Sequence, residues 1–595
     1  MKFRSLILAV LLVPALGAHG ELPLGEGQPA IYSGLYENGA FQSLTFVNSV
    51  VGWDTFFNAG FLGSGRVIAN VEAGLIWDGH EAFLRPDGSS AVTTTFAGTG
   101  ASGELDYHAS MVGHVLAGSG YISGTDPASF TYVGLGMAPL ADIWSGAIAT
   151  SFSETEAGSF NTTTESTVSV YREFFQGIGG VKPDVINSSW GGSDPTAGSP
   201  EMLAIDGLAS QNTTVAFVMS AGNGNDIGVV APVSAPGSTF NSITVGSLGG
   251  TSFLEPSTFS SSGPVDFYIP AIYNIGTDEL LSPAQTLVGV RAAVDIAAPG
   301  ENFFLAAYLG ATGSLGAAND PNTQTPSPTD LYFINASGTS FAAPIVSGGI
   351  ALLKDVASTH PFLNLNAVSS ANDTRVIKSV LMAGATETIG WNNGQAANGL
   401  GVITTTQSLD YQTGAGALDL NKAVDVYLLS GTRDVAGTIG GAISSKGWDF
   451  ASVSLTGRNN YVFSNPFETA IELTVSLNWF AGRTFNNETG IGEDLSFADL
   501  NLEVWQVLDG VFSTLLAQST SVYNNAEFLR IDLPTGTYGI RVTFNGLIYD
   551  NGSLTDESYG LAWNSQAVPE PSTIVFLLLG GVFLLVRAAR RVNIF

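Results

Sequence analysis

Gly338-Thr339-Ser340-Phe341-Ala342-Ala343-Pro344 sets a serine between a Gly-Thr turn and a small, apolar run that continues to Leu353. The run predicts a buried helix. Pro344 fits only its first turn, where backbone N–H groups lack intrahelical partners. Ser340 is thereby predicted at or near a helix N-terminus, where the dipole favours negative charge. A nucleophilic hydroxyl needs that setting. A plain Ser/Thr cap on a core helix has the same local signature.

Other segments shift the balance. His108 opens a second small-residue helix, His108-Ala109-Ser110-Met111-Val112-Gly113-His114-Val115-Leu116-Ala117-Gly118. Upstream, Arg66-Val67-Ile68-Ala69-Asn70-Val71-Glu72-Ala73-Gly74 reads as a short buried strand ending in a carboxylate and a glycine. Val215-Ala216-Phe217-Val218-Met219-Ser220-Ala221-Gly222-Asn223-Gly224 reads as a buried strand running into a turn that presents an asparagine amide. Acid, histidine, asparagine and serine in this order resemble the subtilisin-like serine proteases, or subtilases. Further landmarks follow the same family pattern: Gly136-Met137-Ala138-Pro139, Val185 to Gly192, Phe259 to Pro264, Asp295 to Gly300, and Gly414 to Asp419. The resemblance covers residues 31–429.

It implies a serine endopeptidase acting through an acyl-enzyme. Ser340 is the implied nucleophile, His108 the general base, Glu72 the acid that orients it, and Asn223 the oxyanion donor. Ser188, Trp190 and Gly191 on one side, and Ser220, Ala221 and Gly222 on the other, are the implied edges for an extended peptide. Two departures stand out. The family's acid is an aspartate in an Asp-Ser/Thr-Gly turn, whereas here the triplet is Glu72-Ala73-Gly74, with Asp78 a weaker candidate six residues on. Ala109-Ser110 replaces the usual Gly-Thr after the histidine. The competing reading is a catalytically inactive subtilase-fold surface or exopolysaccharide-associated binding protein.

Composition narrows the chemistry. There is no cysteine, which excludes a thiol nucleophile, a disulfide framework and cysteine zinc sites. The net charge of −31 argues against nucleic-acid partners and favours solubility. Of the 5 histidines, His108 and His114 lie six apart, on different helix faces, which is wrong for a metal pair. His80-Glu81 is not the zinc-protease motif, because position 84 is Leu84. His114 reads as a satisfied core or surface histidine, His19 falls beside the leader, and His360 sits in a loop before a proline. No cofactor is required. The family often binds structural calcium, but no loop has a diagnostic oxygen-ligand spacing, so any site stays unassigned.

The catalytic region predicts an α/β fold with a parallel sheet. Buried strands are expected near 66–71, 183–188, 214–220 and 241–247, alternating with helices. Residues 312–331 read as a surface insertion, and 437–447 as a glycine-rich linker. Beyond it, Leu500, Leu502 and Val504 alternate with polar residues, Asp509-Gly510 is a hairpin signal, and Tyr538, Ile540, Val542 and Phe544 alternate again. This predicts a C-terminal β-sandwich over 448–565, similar to the accessory sandwiches behind many secreted subtilases, as a spacer, stabiliser or substrate contact.

Both ends read as sorting devices. A basic start, an apolar run from Leu6 to Leu16 and small residues thereafter predict a signal peptide over 1–20. The tail, 568–595, carries Pro569-Glu570-Pro571, an apolar run from Ile574 to Val586, and Arg587, Arg590 and Arg591. It resembles the PEP-CTERM sorting signal, which implies a short, transient membrane helix, an exosortase-like processing enzyme besides signal peptidase, and delivery to the cell envelope or beyond. The expected substrates are proteins or peptides.

Overall fold

A computed structural model describes residues 47–568 and short strands between 32 and 46, apart from stretches of which the longest are 120–133, 225–230, 309–331 and 360–368. The expected signal peptide with His19, His360, the insertion at 312–331 and the sorting tail from 569 onward lie outside the described residues.

The principal elements of the first lobe run in this order: β1 (Val67–Glu72), β2 (Val92–Ala97), α1 (Tyr107–Ala117), β3 (Asp142–Ala147), α2 (Thr164–Gln176), β4 (Val185–Ser188), α3 (Pro200–Gln211), β5 (Ala216–Ser220), β6 (Ile243–Gly249), β7 (Glu255–Pro256), β8 (Ile296–Pro299), α4 (Thr339–Thr359), α5 (Thr374–Gly384), β9 (Ile403–Thr405) and α6 (Leu420–Tyr427). Eight strands form one sheet in the order β7-β6-β5-β4-β1-β3-β2, with β8 also on β6. Every pairing is parallel except that of the edge strand β7. The four anticipated strands are present and begin one or two residues later than expected.

Alternation explains how the sheet is covered. Along β5, Ala216 and Val218 join one core with α1 and α4, while Phe217 and Met219 join a second core with α2 and α3. Successive strand residues point to opposite faces, so a sheet sandwiched by helices buries both sets. That is why the strands read as unbroken apolar runs.

α4 begins at Thr339, so Pro344 falls in its second turn rather than the first. A proline there cannot donate to the carbonyl four residues back, which is that of Ser340. The Ser189 hydroxyl supplies the missing donor at 2.9 Å. α4 is also the one described helix long and apolar enough to cross a membrane, and it is wholly buried.

The second lobe holds β10 (Thr438–Ala442), β11 (Lys446–Ser454), β12 (Arg458–Ser464), β13 (Ile471–Trp479), β14 (Gly482–Asn486), β15 (Ile491–Leu508), β16 (Val511–Ser519), β17 (Ala526–Leu533), β18 (Thr537–Asp550) and β19 (Asp556–Ala567). β9-β16-β15-β18-β12-β10 runs through one sheet and β11-β19-β13-β17 through the other. Leu500, Leu502, Val504, Ile540 and Val542 from the first meet Leu473, Val475, Leu477 and Trp563 from the second in a shared core. Asp509 and Gly510 join β15 to β16 with φ of +49° and +78°, the two-residue hairpin geometry that Asp-Gly favours.

The stretch expected as a linker, 437–447, is not one. It contains β10, paired with β12, and the start of β11. Two of its glycines lie against neighbouring strands: the Gly437 position meets the Asn459 side chain and the Gly447 position the Trp563 ring.

Nor is the sandwich a spacer. β9, from the first lobe, adds to the edge of its larger sheet by parallel pairing with β16. α3 lies so close to β14 and β15 that a Cβ at Gly207 would come within 2.3 Å of the Thr484 backbone, and one at Gly492 within 2.2 Å of Leu203. Arg375 of α5 reaches the rings of Phe450 and Phe480 at 4.8 and 4.7 Å. Arg483 is fully buried between Asp206 of α3 and Asp494 of β15, at 2.8 and 3.1 Å.

Candidate active site

Parallel strands and the helices that follow them bring their termini to one edge, and the candidate residues gather there. Glu72 is the last residue of β1 and is 1% exposed. His108 is the second residue of α1, whose N-cap Asp106 accepts from the Ala109 N–H at 3.3 Å. Glu72 Oε2 lies 3.1 Å from His108 Nδ1. Its other oxygen accepts the Ser189 N–H at 3.0 Å. The carboxylate is thus held at both oxygens, and the longer glutamate arm still meets the ring. Asp78, the alternative acid, is exposed in the loop beyond β1.

The electrostatics follow from burial and pairing. Burial raises the Glu72 pKa, against the pull of the His108 hydrogen bond. For His108, burial acts downward, but the hydrogen bond it donates to Glu72 and the charges of Glu72 and Asp106 outweigh it and raise the pKa. With Nδ1–H committed to Glu72, Nε2 is the nitrogen left to accept a proton. Phe341 lies against the imidazole, with ring centroids 6.0 Å apart.

Ser340 is the second residue of α4, and its Oγ donates to the Ser189 carbonyl at 3.2 Å. Asn223 stands beside it. Its Oδ1 accepts both the N–H and the hydroxyl of Thr339, each at 2.9 Å. Thr339 Oγ1 in turn accepts the Gly222 N–H at 3.0 Å. This fixes the amide so that Nδ2 is the donor presented above Gly338.

A cleft of about 380 Å3 opens between the two predicted edges. Trp190, Gly191, Ser220, Ala221, Gly222, Asn223 and Ser340 all line it. Ser188 does not. It is buried within β4 and its hydroxyl is paired with that of Tyr171 at 2.8 Å. Strand alternation explains the correction: Ser188 points into the α2 side of the sheet, and only after β4 ends does the backbone turn to form the edge. Tyr171 also accepts from the Trp190 indole at 3.0 Å, so Ser188 supports the edge from beneath.

Sequence reasoning missed Ser189 and Thr339. Ser189 bonds Glu72 through its N–H, Ser340 through its carbonyl, and the α4 backbone through its hydroxyl. Thr339 aims Asn223. Both stood in quoted motifs, but a role exercised largely through main-chain atoms leaves no mark on residue type. His114 is a satisfied core histidine: Nε2 bonds the Gly134 carbonyl and Nδ1 the Ala306 N–H, and burial pushes its pKa down to about 3. Among the described residues no group of three His, Asp or Glu side chains is placed to hold a metal.

Fold and site together define a serine-type peptidase. The subtilase family model matches residues 89–416, more than half of the chain, and the chain belongs to the subtilase family. Glu72 lies upstream of the matched span. Among solved structures, the prenylagaramide maturation protease PagA is similar at 18% identity and a TM-score of 0.39, over 63% of this chain and 97% of its own. A serine protease of Aeromonas sobria is similar at 16% identity and a TM-score of 0.41, over 85% of this chain and 89% of its own. No curated protein matches the chain.

Proposed function

We propose that the chain is an exported serine endopeptidase with a Glu72-His108-Ser340 triad. Ser340 Oγ attacks the scissile carbonyl while His108 Nε2 takes its proton. The imidazolium then gives that proton to the leaving amine, and an acyl-enzyme remains for water to hydrolyse. Glu72 keeps the imidazole in the Nδ1–H tautomer and stabilises it once charged. Asn223 Nδ2 hydrogen-bonds the oxyanion; loss of one such donor costs about 3–4 kcal/mol in the transition state. No cofactor takes part, and calcium, where bound, would be structural. The observation that carries this reading is the 3.1 Å contact between Glu72 and His108, because the glutamate was the one argument for an inactive scaffold.

The basic and apolar start and the Pro569-Glu570-Pro571 tail support export, with signal peptidase and an exosortase-like enzyme as processing partners and the envelope or medium as destination. The decisive experiment treats the purified protein with a fluorophosphonate probe. Wild type is expected to label and to cleave casein, and Ser340→Ala to do neither while keeping its circular dichroism spectrum. Labelling that persists in Ser340→Ala, or is absent from folded wild type, overturns the assignment.

A further inference from the structure

The stretch Phe259-Ser260-Ser261-Ser262-Gly263-Pro264 takes no part in the triad, yet Ser261 lines the catalytic cleft and is 3% exposed. Its main chain and its side chain both grip the turn that carries Asn223. The Ser261 N–H donates to the Gly222 carbonyl at 2.8 Å. Its Oγ accepts the Gly224 N–H at 3.1 Å. A Cβ at Gly222 would stand 3.1 Å from that oxygen and one at Gly224 3.4 Å, so the hydroxyl packs against both glycines.

The turn Gly222-Asn223-Gly224 needs an outside hold. Gly222 has a φ of +102°, and a glycine on each side of Asn223 gives the turn the most permissive backbone available. Asn223 itself is exposed. An oxyanion donor, by contrast, must stay within about 0.5 Å of its productive place. Thr339 fixes the Asn223 amide oxygen and the Gly222 N–H. Ser261 takes the peptide groups that Thr339 leaves, the Gly222 carbonyl and the Gly224 N–H. Its own segment is anchored on both sides. The Ser260 hydroxyl accepts the Ser247 N–H of β6 at 3.1 Å, and the Gly263 N–H donates to the Tyr411 carbonyl at 2.8 Å. Ser262 pairs in turn with the Ala231 carbonyl and the Val233 N–H, at 3.3 and 3.0 Å.

We propose that Ser261 is a positioning residue for oxyanion stabilisation: by bonding the peptide groups before and after Asn223, it keeps Nδ2 where the oxyanion forms. The inference rests on reading Asn223 as the oxyanion donor. Full charge on the carbonyl oxygen exists only in the tetrahedral state, so a displaced donor slows the chemical step and leaves ground-state binding alone. Two plainer roles act elsewhere. A cleft wall that touches substrate acts on KM, and a simple brace for the loop acts on the melting temperature.

The test is a double-mutant cycle on the full-length chain. Wild type, Ser261→Ala, Asn223→Ala and the double variant are assayed for kcat and KM on a quenched fluorescent peptide that the wild type cuts. Active sites are counted by fluorophosphonate titration to completion, so that unfolded protein does not enter kcat. Asn223→Ala is expected to lower kcat about 10²–10³-fold. Ser261→Ala is expected to lower it about tenfold with KM unchanged, and to lower it no further once residue 223 is alanine. Ser261→Cys keeps a weaker acceptor in the same place and is expected between wild type and Ser261→Ala. It takes the alanine variant's place in the cycle if that variant yields no titratable sites. A loss that persists in full in the Asn223→Ala background, a change in KM alone, or a wild-type kcat with a lowered melting temperature overturns the proposal. In each of these cases a slow Asn223→Ala leaves the reading of Asn223 standing. Asn223→Ala at the wild-type rate overturns that reading, and the proposal with it.

Discussion

Glu72 is one methylene longer than the aspartate of the family pattern, and its carboxylate still meets the His108 ring. A general base must be neutral to take a proton, and His108 owes its raised pKa to the carboxylate beside it, since burial alone would carry it below 6.5. With His108 as the proposed general base, the acid limb of kcat/KM is therefore expected above pH 6.5. Glu72→Gln keeps the burial and removes the charge. It is expected to move that limb to lower pH and to depress the plateau by about three to four decades, the usual result of losing the triad carboxylate. A pH–rate profile of both proteins checks this, and an unmoved limb would assign the orienting role to another acid. The places of Ser340, His108 and Asn223 at the ends of elements were legible, because the apolar runs that bound those elements are local. The glutamate was legible only by its place after a buried strand. Ser188 misled for a related reason: polarity next to an edge looks like exposure, while the pleat turns that hydroxyl inward to Tyr171.

At the scale of elements, α4 and the edge after β4 act as one unit. Pro344 withholds a donor from the Ser340 carbonyl and Ser189 provides it. Ser189→Ala is expected to leave that buried carbonyl short of a partner, at about 1–3 kcal/mol. In Pro344→Ala the new N–H can serve the same carbonyl. The double variant is therefore expected to lose less than the sum of the singles, by about 1 kcal/mol of coupling. Urea unfolding of the four proteins in the cycle measures it, and strict additivity would show that the two residues do not share the carbonyl. The helix itself was legible from its apolar run, but its first turn was not. Sequence alone predicts that a proline marks a beginning, because the hydroxyl that replaces its N–H comes from a residue 151 positions away. The linker at 437–447 failed similarly: glycines that suggest freedom in isolation here admit a tryptophan ring and a neighbouring strand. Asp509-Gly510 was read correctly, since its turn depends on local dihedrals alone.

For the whole molecule, the division into two lobes was visible in the change from strand–helix alternation to period-two strands. Their fusion was not visible, because contacts between distant segments have no local pattern. Asp206 is satisfied by Arg483 and by the N–H groups of Phe240 and Asn241, so the charge balance of the first lobe's core is completed by the second. Arg483→Met leaves two buried carboxylates without their cation and is expected to cost about 3–5 kcal/mol. A chain ending after Tyr427 also bares the faces of α3 and α5, and is expected not to fold. Calorimetry of the full chain should show one transition. Two resolved transitions, or an active truncated protein, would show that the lobes are independent. The same fusion bears on how long such a molecule lasts in use. A peptidase at high local concentration is surrounded by copies of itself, and a folded chain is cut mainly through segments that open transiently. With β9 stitched into the sandwich and Arg483 locked between the lobes, the opening of one lobe alone is not an available low-energy state. Self-digestion by way of a separated lobe must then wait for the entire chain to unfold, so along that route the rate of unfolding sets the working lifetime.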